Sequence, residues 1–179
     1  IVDRKNWRIV MFWHIAETRE QARAEAKDGL LRWHNEYTVG TLMRPGVEAF
    51  KNPDHAVDEF AYADGASAVI GTPDDLVAKI REISQLTGGF GTVIGFVHDW
   101  ANRENTNRSW DLVARYVIPE VTGMLDGYRE SRQFVVENRG SFDRAREAIM
   151  DKIMSNDKAA AALKLGTTSR PAMAPHSSP

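Results

Sequence analysis

The chain has 179 residues, a formal charge of -2, 42% hydrophobic residues and no cysteine. Without cysteine there are no disulfides, thiolate metal sites or cysteine nucleophiles, and the near-neutral charge leaves no electrostatic footprint for nucleic acid. No apolar run approaches the ~20 residues that span a bilayer and no secretory signal is visible, so a cytoplasmic globular protein of one or two domains is expected.

After a polar lead-in, Trp7 to Ile15 (WRIVMFWHI) is rich in β-branched and aromatic residues and reads as a buried strand. Thr18 opens the capping-box pattern Thr-Arg-Glu-Gln21, and a helix runs from it to about Trp33 or Tyr37, with Ala22, Ala26, Leu30 and Trp33 on one face. Residues 38–53 carry two prolines and two glycines without a period and read as an excursion. Asp54 is expected to cap a short helix to Tyr62.

The stretch from Ala68 to Arg103 organises the chain. A short strand, Ala68 to Ile70, stops at Gly71. Thr72 then stands where an N-cap belongs, Pro73 at the first helical position, and Asp74 and Asp75 in the first turn. Leu76, Val77, Ile80, Ile83 and Leu86 form an apolar stripe that ends at Gly88 and Gly89. Thr92 to Val97 reads as a strand apolar on both faces, followed by His98-Asp99-Trp100. Beyond a polar loop, Ser109 is expected to cap a helix that Pro119 kinks or ends, and Ser141 another. A short alanine-rich segment, Asp157 to Leu165, comes next. Residues 166–179 (GTTSRPAMAPHSSP) are small, polar and proline-rich and are expected to be disordered, leaving 1–165 as the folded part.

Strands alternating with helices imply a parallel α/β sheet. Three such strands alone would leave open edges, and the chain opens on Ile1 rather than Met, so a fragment or processed form of a larger α/β structure is expected.

In order and spacing, NWRIVMFWHIAETREQARAEA, AVIGTPDDLVAKI and TGGFGTVIGFVHDWANRENTNRSWDLVARYVIPEV resemble the luciferase-like flavin-dependent monooxygenases, in the branch that includes limonene monooxygenases. The resemblance covers residues 6 to about 121 well and extends more loosely to about 150. It implies a (β/α)8 TIM barrel, of which this chain would supply strands six to eight and the C-terminal helices. It also implies an enzyme that uses reduced flavin and oxygen to oxygenate a small organic substrate. FMN is the implied cofactor, with deazaflavin in some branches, and a separate NAD(P)H-dependent reductase is the implied partner. A homo-oligomer is expected, without nucleic acid or membrane.

On that resemblance His98 is the catalytic candidate, since it follows a strand at the barrel mouth and its imidazole can donate to a flavin carbonyl or move a proton. Trp100 can stack on the ring, or plug the barrel top. Asp99 reads as a turn cap rather than a base. Trp13 and His14 are candidates for the cofactor wall. Alternation puts Trp13 on one face and Phe12 and His14 on the other, without saying which lines the pocket. Asp74 and Asp75 oppose a phosphate at the Thr72 helix start, so capping is the expected role there, and TGGFG lies at the opposite, stability-bearing end. No metal-ligand or nucleophile-elbow pattern is present. Two other readings remain open: a deazaflavin-dependent oxidoreductase on the same scaffold, and a non-catalytic truncated α/β module acting in folding or dimerisation.

Overall fold

The structure is a computed structural model that describes residues 3–66 and 68–168. The chain divides into two compact units at the Leu125–Asp126 junction.

The first unit is a mixed α/β structure built on one strand, β1 (Arg8–Ile15). Strand β2 (Ala68–Gly71) pairs in parallel with the C-terminal half of β1, from Phe12 opposite Ala68 to Ile15 opposite Gly71. Strand β3 (Thr92–Phe96) pairs in parallel with the N-terminal half, from Arg8 opposite Thr92 to Phe12 opposite Phe96. The sheet order is therefore β2-β1-β3. This differs from the order expected of barrel strands six to eight, which would put β2 in the middle. Strand β1 is central here because its eight residues carry four register pairs on one edge and five on the other.

Pleating divides the side chains of β1 between two cores. Phe12 and Ala16 join Ala68 and Ile70 under helix α1 (Arg19–Arg32), whose Ala22, Ala26 and Leu30 are fully buried. Met11, Trp13 and Ile15 join Val69 under helix α3 (Pro73–Thr87), which contributes Leu76, Val77 and Ile80. Helix α2 (Pro53–Val57) adds Ala56 and Val57 to the first core. Helix α4 (Arg103–Leu112) and the π-helical turn after it add Leu112, Val113 and Val117 to the second. Layers thus cover both faces of β2 and of the C-terminal half of β1, but not of β3 or of the N-terminal half of β1, where Val10 is exposed. The alternate β3 residues Ile94 and Phe96 are exposed, so the expectation of a strand buried on both faces fails. As an edge strand, it pairs on one side only.

Helix starts obey local chemistry. Thr18 accepts from the Gln21 amide, but the Gln21 side chain donates to Glu25 and leaves that capping box half-formed; Thr72 caps α3 with Pro73 at the first helical position, as expected, and with Asp75 completes a reciprocal capping box. Gly88 closes α3 in the left-handed region at φ 71°. Two other caps fall elsewhere. Asn52, not Asp54, caps α2, and Asn102, not Ser109, caps α4; each Asn side chain accepts from the amide three residues on. Ser109 is instead buried within α4, where its Oγ accepts from the Ile15 amide at 2.8 Å. Pro119 lies in the first turn of α5 (Ile118–Val121), and the preceding residues Val113–Val117 widen into a π turn. A proline offers no amide to the carbonyl four residues back and crowds it, which the wider turn relieves. The excursion begins with a longer π-helical segment, Trp33–Thr41, and α2 runs into a third, Asp58–Tyr62.

The second unit holds α6 (Asp126–Glu137), α7 (Arg139–Met154) and α8 (Asp157–Thr168), with α7 packing against α6 and α8. Ser141 lies inside α7 and accepts from Arg144 rather than capping. The expected disordered tail begins within α8 at 166–168, and its remainder, 169–179, lies outside the described residues. No helix among the described residues is long and apolar enough to cross a membrane.

Two contacts fix how α1 and α3 meet the sheet. Arg19 grips Asp75 through Nε at 2.9 Å and Nη2 at 2.5 Å, joining the starts of both helices. That hydrogen bonding, aided by the Thr72 amide and hydroxyl, lowers the Asp75 pKa to about 2. Gly29 lies against the Trp100 backbone so closely that an added Cβ would come within 2.1 Å of the Trp100 carbonyl oxygen. Asp75 is ionised in the folded state to a lower pH than in the unfolded chain, so its stabilisation is complete above about pH 4 and is lost as pH falls towards 2. Asp75→Asn is expected to cost about 1–2 kcal/mol at pH 7 and to flatten this acid limb in chemical denaturation recorded at several pH values. Gly29→Ala should lower stability by on the order of 1–3 kcal/mol despite the better helix propensity of alanine, because backbone has to move. A thermal melt of this variant that matches the parent would show that the close approach does not constrain the fold.

Candidate functional site

The carboxyl ends of β1 and β3 bring together an aromatic box. Phe12 comes from β1, Phe96 from β3, and His98 and Trp100 from the turn after β3. Trp33 enters from the π-helical continuation of α1, and Phe60 from the π turn after α2. The His98 ring lies 4.6 Å from Trp33 and 5.2 Å from Phe12 between centroids, and stacks on Trp100 at 5.1 Å with an interplanar angle of 8°. The half-exposed Phe96 also stacks on His98, at 5.7 Å and 18°. Phe60 meets Phe12, Trp33 and Trp100 at 5.6–5.9 Å. Gly29 allows this arrangement, since any side chain there would drive the Trp100 backbone away from α1.

Two polar atoms inside the box have no partner: His98 Nε2 and Trp100 Nε1 are both buried and unbonded. An unpaired buried polar group costs about 1–3 kcal/mol, and Trp13 Nε1 in the opposite core, His34 Nδ1 and Arg108 Nε are in the same condition. Burial pushes the His98 pKa below the ordinary histidine value, against the opposing pull of Asp99. The imidazole is therefore neutral near pH 7. Asp99 itself is exposed, with its carboxylate 3.4 Å from Arg32 Nη2, and Asn102 rather than Asp99 supplies the next helix cap.

Next to the box stands a charged network. His14 Nε2 is 2.9 Å from Glu25 Oε2, Gln21 donates to Glu25 Oε1 at 2.9 Å, and Arg108 reaches the same oxygen while its Nε lies 3.5 Å from Glu17. Burial alone would raise the Glu25 pKa, but the hydrogen bonds from His14, Gln21 and Arg108 outweigh it and hold the carboxyl below its ordinary range. A carboxylate only accepts, so His14 carries its proton on Nε2.

The four residues singled out by sequence therefore separate. His98 and Trp100 meet in the box. His14 lies on the same face of β1 but is tied to Glu25. Trp13 lies on the opposite face, its ring 4.9 Å from Trp110, in space that only Gly95 leaves open. Trp33 and Phe60 carry no sequence signal for a site, although helical spacing places Trp33 on the buried face of α1. Nothing local in the sequence marks Glu25 or Arg108, which are 83 residues apart. TGGFG lies at the other end of the sheet, where the Gly91 amide donates to the Trp7 carbonyl. The starts of α1, α3 and α4 are each capped by their own side chains, Thr18, Thr72 and Asn102. Among the described residues, no three His, Asp or Glu side chains could hold a metal ion.

No protein-family model matches the chain. It is 38% identical over 136 residues to 4-hydroxyprotoasukamycin monooxygenase of Streptomyces nodosus subsp. asukaensis, a match covering 76% of this chain and 36% of that protein. It is 35% identical over 148 residues to limonene 1,2-monooxygenase of Rhodococcus erythropolis, covering 79% of this chain and 36% of that one. Among solved structures it is similar to the oxygenating constituent of 3,6-diketocamphane monooxygenase from Pseudomonas putida, a type II Baeyer-Villiger monooxygenase in complex with FMN. That likeness has a TM-score of 0.49 at 20% identity and covers 66% of this chain and 34% of the other. The chain thus spans little more than a third of the length of the curated relatives it matches. With identity at this level running through three quarters or more of its residues, the chain belongs to the luciferase-like family of monooxygenases.

Proposed function

We propose that this chain serves in a flavin-dependent monooxygenase, which uses reduced flavin and oxygen to place an oxygen atom on a small organic substrate. Two relatives named monooxygenases support the reaction class. The observation that carries the flavin is the aromatic box with its two unpartnered polar atoms. A planar heteroaromatic ring needs flat apolar walls and a few polar contacts at its edge, and Phe12, Trp33 and Phe96 with His98 Nε2 and Trp100 Nε1 are groups of that kind. Groups of this kind suit a ring rather than a phosphate, since the neighbouring helix starts are occupied by their own caps.

When bound, the flavin would supply the electron pair that activates oxygen. The residues of the chain divide the remaining tasks. Trp33, Phe60 and Trp100 keep water from the reacting region. The neutral His98 can accept or return a proton at Nε2, the atom that nothing else in the box engages. Glu25 holds the His14 ring in one tautomer at the end of β1. FMN is the cofactor we favour over deazaflavin on family resemblance, with a separate NAD(P)H-dependent reductase delivering it in the reduced state.

Titration of the chain with FMN, monitored by flavin fluorescence, is expected to show saturable quenching that Trp33→Leu weakens at least tenfold. Affinity unchanged by Trp33→Leu and by His98→Gln would show that the box does not hold the ring. The His98 titration offers an independent check. Its pKa is lower folded than unfolded, so the unfolded chain takes up the proton first, and folding stability falls as pH drops below about 6.5. An NMR titration should place the His98 midpoint below that value, and His98→Phe should remove this part of the acid sensitivity.

A further inference from the structure

Helix α4 follows the turn that carries His98 and Trp100, and its start is joined closely to that turn. Only Ala101 and the cap Asn102 separate Trp100 from the helix. Asn102 accepts from the Asn105 amide at 2.8 Å, and the Thr106 hydroxyl donates to the Ala101 carbonyl at 3.3 Å. Where α4 lies, the C-terminal end of the turn lies with it.

Two adjacent residues of α4 place the helix. Ser109 Oγ accepts from the Ile15 amide at 2.8 Å, and both residues are buried. A hydroxyl inside a helix ordinarily bonds within its own turn or to solvent. This one serves the last residue of β1, whose buried amide it satisfies. Arg108 Nη2 donates to Glu25 of α1, and Glu25 in turn holds His14 of β1 at 2.9 Å. The three elements are thus tied pairwise: α4 to β1 by Ser109, α4 to α1 by Arg108, and α1 to β1 by the Glu25–His14 pair.

The turn itself is fixed at its other end by β3, where Phe96 pairs opposite Phe12. Between the two ends, the Trp100 backbone packs against Gly29 of α1. A shift of α4 relative to β1 and α1 therefore has to be taken up within residues 97–102, and those residues carry the parallel stack of His98 on Trp100.

We propose that Arg108 and Ser109 are positioning residues for the candidate site: they lock α4 to α1 and to the end of β1, and so set where His98 and Trp100 stand against Phe12. The role rests on the aromatic box being the site, and the geometry holds with or without flavin.

The test uses the full chain, with the His98 imidazole protons followed by NMR and FMN affinity by fluorescence. The stack on Trp100 gives those protons a ring-current shift that reports their position. Arg108→Gln and Ser109→Ala are each expected to move the His98 signals towards the unstacked value and to weaken FMN at least fivefold. Arg108→Lys keeps a cationic donor for Glu25 and should leave both near the parent. Thr72→Ala removes the cap of α3 and lowers Tm, but should leave the His98 signals in place, so that the shift reports position and not stability. Should Ser109→Ala fail to fold, Arg108→Gln decides alone, since its side chain is a third exposed. His98 signals unmoved in Arg108→Gln, or moved equally by Thr72→Ala, would overturn the proposal. A parent chain that binds no FMN while the variants still move His98 would sink the flavin reading and uphold the positioning role.

Discussion

Everything in the first unit hangs on the double pairing of β1. Because β2 takes its C-terminal half and β3 its N-terminal half, Phe12 is paired in both registers, opposite Ala68 on one edge and Phe96 on the other. Its side chain is thereby fixed at the point where both neighbouring strands meet on β1. The segment leaving β3 brings His98 and Trp100 onto it, and the close approach permitted by Gly29 lets α1 press Trp100 into place. The same pleat sends Trp13 to the other core. One strand thus decides which aromatics meet and which are kept apart.

Local chemistry carries most of what is legible in the sequence. The Thr72-Pro73-Asp74-Asp75 start, the Thr18 cap and the apolar stripe of α3 depend on residues within one or two turns, and each forms where its spacing indicates except at Leu86, which ends the stripe exposed to solvent. Strand identity is legible for the same reason. Strand order is not. Whether β3 lies beside β2 or beside β1 turns on edge lengths and on which faces the helices cover, and those are properties of the assembled sheet. The Asn52 cap obeys the same rule as Thr72, since Pro53 follows it at the first helical position; Asn102 and Ser109 are both residue types that can cap, and only the register of the helix within its core distinguishes them. Ser109 shows what decides: its hydroxyl is needed inside α4, by the Ile15 amide 94 residues away.

The candidate site divides along the same line. His98 and Trp100 are legible because they come directly after a strand. Helical spacing places their neighbour Trp33 on the buried face of α1 without marking it for a site, and Phe60 arrives from a segment whose backbone departs from the α-helical period. Glu25 illustrates a further limit. On α1 it is one of several acidic residues, and it acquires its character only from His14 and Arg108, which the fold brings to it.

The two π-helical segments that carry Trp33, His34 and Phe60 have a consequence for how this region can change. Each holds more residues per turn than an α-helix would accommodate, so it sets the angular phase of everything beyond it. Removing a single residue from Trp33–Thr41 would let the segment relax to α-helix and change the angular positions of the residues within it. Its aromatic and imidazole groups would then face elsewhere, with no change in hydrophobicity or charge to announce it. In this region, segment length is under tighter constraint than side-chain identity. Substitutions there can be graded, but a one-residue deletion acts as a switch.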